Sequence, residues 1–170
     1  AIFDKADLHH ANLWNIDLRG ASAKETIFCK CWLGNSNLVD ADLRGADFSG
    51  AWITAADLSN SLLAASTLAG VSLARACMKE TDLTGAFAVR TDFRSAILNG
   101  ATMRAANLSG ANLRGASLID ADLSLSDLVG ADLRDAQLDG AKLNGSRHDG
   151  TTRWPEAFKP LTSGGIDSHE

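Results

Sequence analysis

Four kinds of side chain in this 170-residue chain could do chemistry, and they recur at a common interval. Trp32 and Trp52 are twenty residues apart, with Trp14 two residues off that phase; Arg94, Arg114 and Arg134 follow at steps of twenty; His9 and Cys29 are also separated by twenty. Tryptophan and arginine are the side chains best able to anchor a protein interface. A histidine beside a cysteine is the start of a nucleophile–base pair or of a metal ligand set. None of this chemistry exists unless the fold brings residues twenty apart into contact.

The element that could do so is visible between residues 106 and 145, which read ANLSG ANLRG ASLID ADLSL SDLVG ADLRD AQLDG AKLNG in fives. Leu108, Leu113, Leu123 and Leu133 are four of the leucines that sit at the centre of successive units, with alanine or serine two places before each. On an α-helix five residues advance a side chain by about 140° past a full turn, so the leucines would spiral and form no apolar stripe. In a flat strand an odd repeat would alternate them between two faces. A backbone that bends after every fifth residue buries them together: the small residue and the central residue point in, and the others point out. The phase holds from Phe3 through Leu8, Leu13, Leu43 and Phe48 to Leu143 without slipping, which makes one elongated solenoid rather than a globular core.

These units match the pattern A(D/N)LXX, and in this the sequence resembles the pentapeptide-repeat family over nearly its whole length. The resemblance implies an all-β, right-handed quadrilateral parallel β-helix with four units, hence twenty residues, per coil. Residues 1–146 would form about seven coils, some 35 Å long at about 4.8 Å per coil. Residues 147–160 would form a cap, with a short helical turn from Pro155 laying Trp154 and Phe158 over the last coil, and residues 161–170 a disordered tail. HDGTTRWPEAFKP after the repeats also looks like the tail of bacterial family members.

Twenty residues per coil would stack Trp32 on Trp52, keep Trp14 on the same face one coil earlier, and run Arg94, Arg114 and Arg134 as a ladder further along it, flanked by Asp92, Asn112 and Asp132. The functional interpretation is a partner-binding face. The bland one is surface coverage, with arginines in ion pairs of little energy. Ala23 and Ala88 put a methyl where a large central residue belongs. Either neighbours such as Phe28 or Phe87 fill the gap, or a bulge turns Ile27 or Phe87 inward. Thr26, Cys31 and Val71 enlarge the inner position usually held by alanine, which predicts a less regular N-terminal half. Eleven glycines fall at the last place of a unit, where a corner needs permissive dihedrals.

Several function classes are disfavoured. A convex rod offers no pocket, so His9 with Cys29 is a poor catalytic or metal site, and His10, His148 and His169 read as solvated; no cofactor is expected. The net charge of -5 argues against direct nucleic-acid binding. No apolar run is long enough to cross a membrane. Cys29, Cys31 and Cys77 are an odd set without zinc-like spacing, with Cys31 inward and the others outward; free thiols favour a reducing compartment. The chain opens at Ala1 with the repeat already in phase, which points to a processed or trimmed upstream segment and leaves location open, with the cytoplasm favoured.

The function expected is therefore a non-catalytic scaffold that presents ladders of side chains to an unidentified protein partner, with a coil end or the Trp face also a candidate homodimer contact. One alternative is acidic DNA mimicry, as in family members that protect DNA gyrase from quinolones, since ten aspartates precede central residues. B-DNA carries a charge about every 1.7 Å, so a rod of about 35 Å would need roughly 20. This chain falls far short. Another alternative is a rigid spacer within a longer polypeptide.

Overall fold

The computed structural model describes residues 1–160. The tail expected at 161–170 lies outside them. Every backbone pairing from Ile2 with Ser22 to Asp127 with Arg147 is parallel and offset by twenty residues, so four five-residue units close one coil of a right-handed quadrilateral parallel β-helix. The four faces are named here by their first units: 1–5, 6–10, 11–15 and 16–20.

The hydrogen bonding shows why five residues are the unit. The amide of Leu43 donates to Leu62 O at 2.8 Å, that of Leu62 to Ala41 O at 2.9 Å, that of Gly45 to Ala64 O at 3.0 Å, and that of Ala46 back to Leu43 O at 3.1 Å. Three bonds tie neighbouring coils and the fourth closes the corner. The amide after the central residue has no backbone partner in this scheme. An aspartate or asparagine one place before the centre supplies one: Ser49 N–H donates to Asp47 Oδ1 at 2.8 Å, Ser59 N–H to Asp57 Oδ1 at 3.0 Å and Trp14 N–H to Asn12 Oδ1 at 3.2 Å. The D/N of the repeat is thus a satisfier of backbone donors before it is a surface charge.

The corner residue adopts a positive φ throughout, near 54–70°, in glycines and in residues as large as Leu125. Each non-glycine there costs about 1 kcal/mol of steric strain, so glycine is favoured but dispensable. Inside, the central residues form one column. Leu43, Phe48, Leu108, Leu113, Leu123 and Leu133 are fully buried, while Leu8 and Leu13, in the first coil, are covered on one side only and are half-buried.

One of the two alternatives at the alanine-centred units fails here, and so does the expected irregularity of the N-terminal half, both for identifiable reasons. No bulge occurs at Ala23 or Ala88: both are buried, while Ile27 and Phe87 point outward at 37% and 47% exposure. Phe87 therefore cannot fill the gap. Each of these alanines is instead followed one unit later by a fully buried Phe28 or Phe93, so volume removed from one edge of the coil returns at the next. Nor is the N-terminal half less regular. Thr26 Oγ1 donates to Phe3 O at 2.7 Å and Cys31 Sγ to Leu8 O at 2.9 Å, using a second lone pair on a carbonyl that already closes a corner. Thr26 and Cys31 are accommodated by hydrogen bonding, and Val71 is fully buried with the offset of twenty unchanged beside it at Trp52 and Ser72.

The register changes once, near residue 150, where Asp132 pairs with Arg153 at an offset of twenty-one. One inserted residue breaks the repeat, but the ladder continues past residue 147 into the segment read as a cap. Trp154 and Phe158 then pack together at 5.3 Å against the last coil, with His148 edge-on to Trp154 at 5.3 Å. The helical turn expected from Pro155 is a single turn, closed by Phe158 N–H to Pro155 O at 2.9 Å. One such bond with Pro160 close behind does not propagate a helix.

Candidate functional site

The face that begins at residues 11–15 carries the aromatic and cationic residues together. Asn12, Trp32, Trp52, Ser72, Asp92, Asn112 and Asp132 pair in sequence along it, one per coil. Two residues on, at the outward position after the centre, the chain places Trp14, Gly34, Thr54, Ala74, Arg94, Arg114 and Arg134. Trp14, Trp32 and Trp52 are 54%, 51% and 47% exposed, three large apolar side chains grouped at one end of this face. The indoles of Trp32 and Trp52 stack with centroids 4.7 Å apart, and His10, Asn12, Trp14 and Trp32 line a cleft of about 400 Å³.

Gly34 makes this arrangement. A Cβ built there would collide with the six-membered ring of Trp14, which lies over it. Gly34 has ordinary backbone torsion, so alanine there should push Trp14 aside with little cost to the fold. Gly34→Ala should increase the acrylamide quenching of indole fluorescence while moving the urea midpoint by less than about 1 kcal/mol equivalent. Unchanged quenching would mean that Trp14 is held by something other than the space above Gly34.

The arginines are mostly engaged. Arg94 grips Asp92 with Nε and Nη2, both at 2.8 Å, and Arg134 grips Asp132 at 2.9 and 2.6 Å. Arg114, facing Asn112 instead of an aspartate, reaches across to Asp135 at 2.9 Å. Hydrogen bonds from the arginine side chains, then from the arginine amides, hold the carboxyls of Asp92 and Asp132 below the usual carboxylate range, against the opposing effect of burial. A depressed native pKa stabilises the fold above the unfolded value of about 3.9, and that stability is lost as pH falls through the lower native value. Urea midpoints should therefore be level above about pH 5 and decline below about pH 4. Asp132→Asn, which retains an acceptor for the amide of residue 134, should make that decline shallower; an unaltered slope would count against it.

His9 and Cys29 share a face, and each contacts another group there. The His9 ring packs edge-on to His10 at 4.2 Å, and the Cys29 thiol faces Asp47 O at 4.0 Å. Burial, reinforced by Asp47, raises the Cys29 thiol, the reverse of what a nucleophile needs. Among the described residues no group of three or more His, Cys, Asp or Glu could hold a metal, and Cys29, Cys31 and Cys77 are free.

The Pentapeptide repeats family model matches eight copies across residues 1–28, 28–60, 54–85, 79–110 and 106–145. The chain belongs to the pentapeptide-repeat family. Among solved structures, this pentapeptide-repeat protein is similar to HetL from the cyanobacterium Nostoc sp. strain PCC 7120, described as involved in heterocyst differentiation regulation, at 31% identity and a TM-score of 0.51, over 85% of this chain and 71% of HetL. It also resembles QnrB1, a plasmid-mediated fluoroquinolone resistance protein, at 16% identity and a TM-score of 0.50, over 88% of this chain and 90% of QnrB1. The second likeness concerns the fold alone. No curated protein matches the sequence.

Sequence reasoning had placed the tryptophans and the arginine ladder on this face, and the pentapeptide-repeat coil joins them there. It overlooked Arg75 and the small residues Thr54, Ser72 and Ala74, which leave a depression between Trp52 and Arg94. Counting back by twenty from Arg94 would have exposed the gap.

Proposed function

We propose that this pentapeptide-repeat rod is a non-catalytic scaffold that binds a protein partner through the face of Trp14, Trp32 and Trp52, with Arg94, Arg114 and Arg134 at its far end. The observation that carries this is the joint exposure of three adjacent tryptophans, two of them stacked. Burying about half of each indole would supply the kind of apolar anchor that dominates interface energies, and the β-helix holds the rings in place so that little ordering entropy is lost. Replacing all three with serine should remove the partner captured by the wild-type protein from cells of the source organism. An unchanged set of captured proteins would overturn the proposal.

Acidic mimicry of DNA is the weaker reading. The most acidic face, that of residues 16–20, carries six acids against two bases between Asp17 and Asp139, a net of -4 along nearly the whole rod. Of the ten aspartates in the repeat position, Asp17, Asp42, Asp92 and Asp132 are each gripped by the arginine two places on. Inhibition of gyrase supercoiling by a molar excess of the protein would restore this reading.

A further inference from the structure

We infer that the partner's contact segment is an extended peptide carrying an acidic side chain about three residues from a large apolar one, the carboxylate being taken by Arg75, Arg94 and Arg114. This rests on the scaffold reading and names the chemistry of its partner. Beyond the tryptophans, Thr54, Ser72, Ala74, Arg75, Arg94 and Arg114 border a groove of about 570 Å³, which Asp135, the partner of Arg114, also lines. Thr54 Oγ1 and Ser72 Oγ lie 3.3 Å apart among the small residues, Arg75 stands at the corner of the unit that holds Ser72 and Ala74, and Arg94 and Arg114 follow on the next two coils.

Guanidinium groups with open donors are suited to forked recognition of a carboxylate. Arg94 commits Nε and Nη2 to Asp92 and retains Nη1; Arg114 commits only Nε to Asp135 and retains both Nη groups; Arg75 has no ion pair among the described residues. Charge favours the same occupant. This face holds five arginines, at 75, 94, 114, 134 and 153, against Asp92, Asp132 and Asp135, a net of +2 on a chain whose total is -5. An acidic segment is drawn to this face and repelled most by that of residues 16–20.

The spacing sets the peptide's pattern. Trp52 and Arg94 are two coils apart, about 10 Å, and an extended chain in the polyproline-II conformation, rising about 3.1 Å per residue with three residues per turn, presents side chains three apart on the same side at about that distance. A nucleic acid fits less well, because a duplex offers a phosphate charge about every 1.7 Å and this face has few uncommitted cations to meet them.

The test uses a random 12-residue peptide display library selected in parallel on the wild-type protein and on R75E/R114E, both replacements being at exposed positions. Wild-type selections should enrich Asp or Glu three residues from Trp, Phe or Leu, and the reversed variant should favour Lys or Arg at that place and bind the wild-type clones at least tenfold more weakly. Should R75E/R114E melt well below wild type, R75Q/R114Q gives the same comparison without repulsion. Selections lacking acidic enrichment, or the same consensus on both proteins, overturn the inference. So would tight binding of a 20-base-pair duplex that R75E/R114E abolishes. Loss of the cellular partner on replacing the tryptophans but not on R75E/R114E would leave the scaffold reading standing and sink this one.

Discussion

Aspartate in place of Ala111 should cost about 4 kcal/mol or more at neutral pH, enough to remove much of the stability of a typical domain, whereas threonine at the same place should cost no more than about 1 kcal/mol. Ala111 is fully buried on the inner column, and among the described residues no cation is buried inside the coil to pair with a carboxylate. Threonine can use a device already present in the chain. Thr81 Oγ1 donates to Leu58 O at 2.8 Å and Thr91 Oγ1 to Leu68 O at 2.7 Å, each to a carbonyl twenty-three residues earlier. For residue 111 that carbonyl belongs to Ala88, which accepts only the long 3.3 Å bond from Thr91 N–H. A buried aspartate would have its pKa raised, so its neutral form is tolerated below about pH 4 and the destabilisation grows as pH rises through the native value. Urea midpoints of both variants, each referred to wild type at pH 4 and pH 7, check this. Equal stability of the two at pH 7 would mean that the interior is wet.

The second large effect is expected at Phe48. Its ring stacks on Phe28 at 4.9 Å with an interplanar angle of 4°, and both are fully buried. Phe48→Ala should cost about 3–5 kcal/mol, since it removes the ring and leaves a cavity that the hydrogen-bonded coils cannot collapse to fill. Phe48→Leu, which restores the usual central residue, should cost much less. Because a solenoid is stabilised chiefly by contacts between neighbouring repeats, the alanine variant should also lose cooperativity, with the coils before and after residue 48 exchanging amide hydrogens at different rates. Uniform exchange along the rod would contradict this.

The central column was legible because burial follows from period alone. Five-residue phasing assigned Leu43, Phe48 and Leu108 inward before any coordinates, and it assigned Trp32, Trp52 and Arg94 outward by the same rule. What it could not convey was hydrogen-bond demand. Nothing in the spacing shows that the amide after each central residue lacks a backbone partner, so Asp47 and Asp57 looked like plain surface acids. The two alanine-centred units left a bulge and a filled gap both open for a related reason: volume is balanced around a coil, and Phe28 and Phe93 lie one side along from Ala23 and Ala88. Arg75 escaped notice because a groove is made by what is missing, and Thr54, Ser72 and Ala74 carry no signal until they are set beside larger neighbours.

The constant offset of twenty between paired residues gives the rod the property of a graduated scale. Removing one whole coil, such as residues 61–80, would rejoin two equivalent points of the square and draw Arg94 toward Trp52 by about 4.8 Å without rotating either. A lineage could thus retune the distance between two grips on a partner in fixed increments, through deletions and duplications that leave every remaining side chain on its original side.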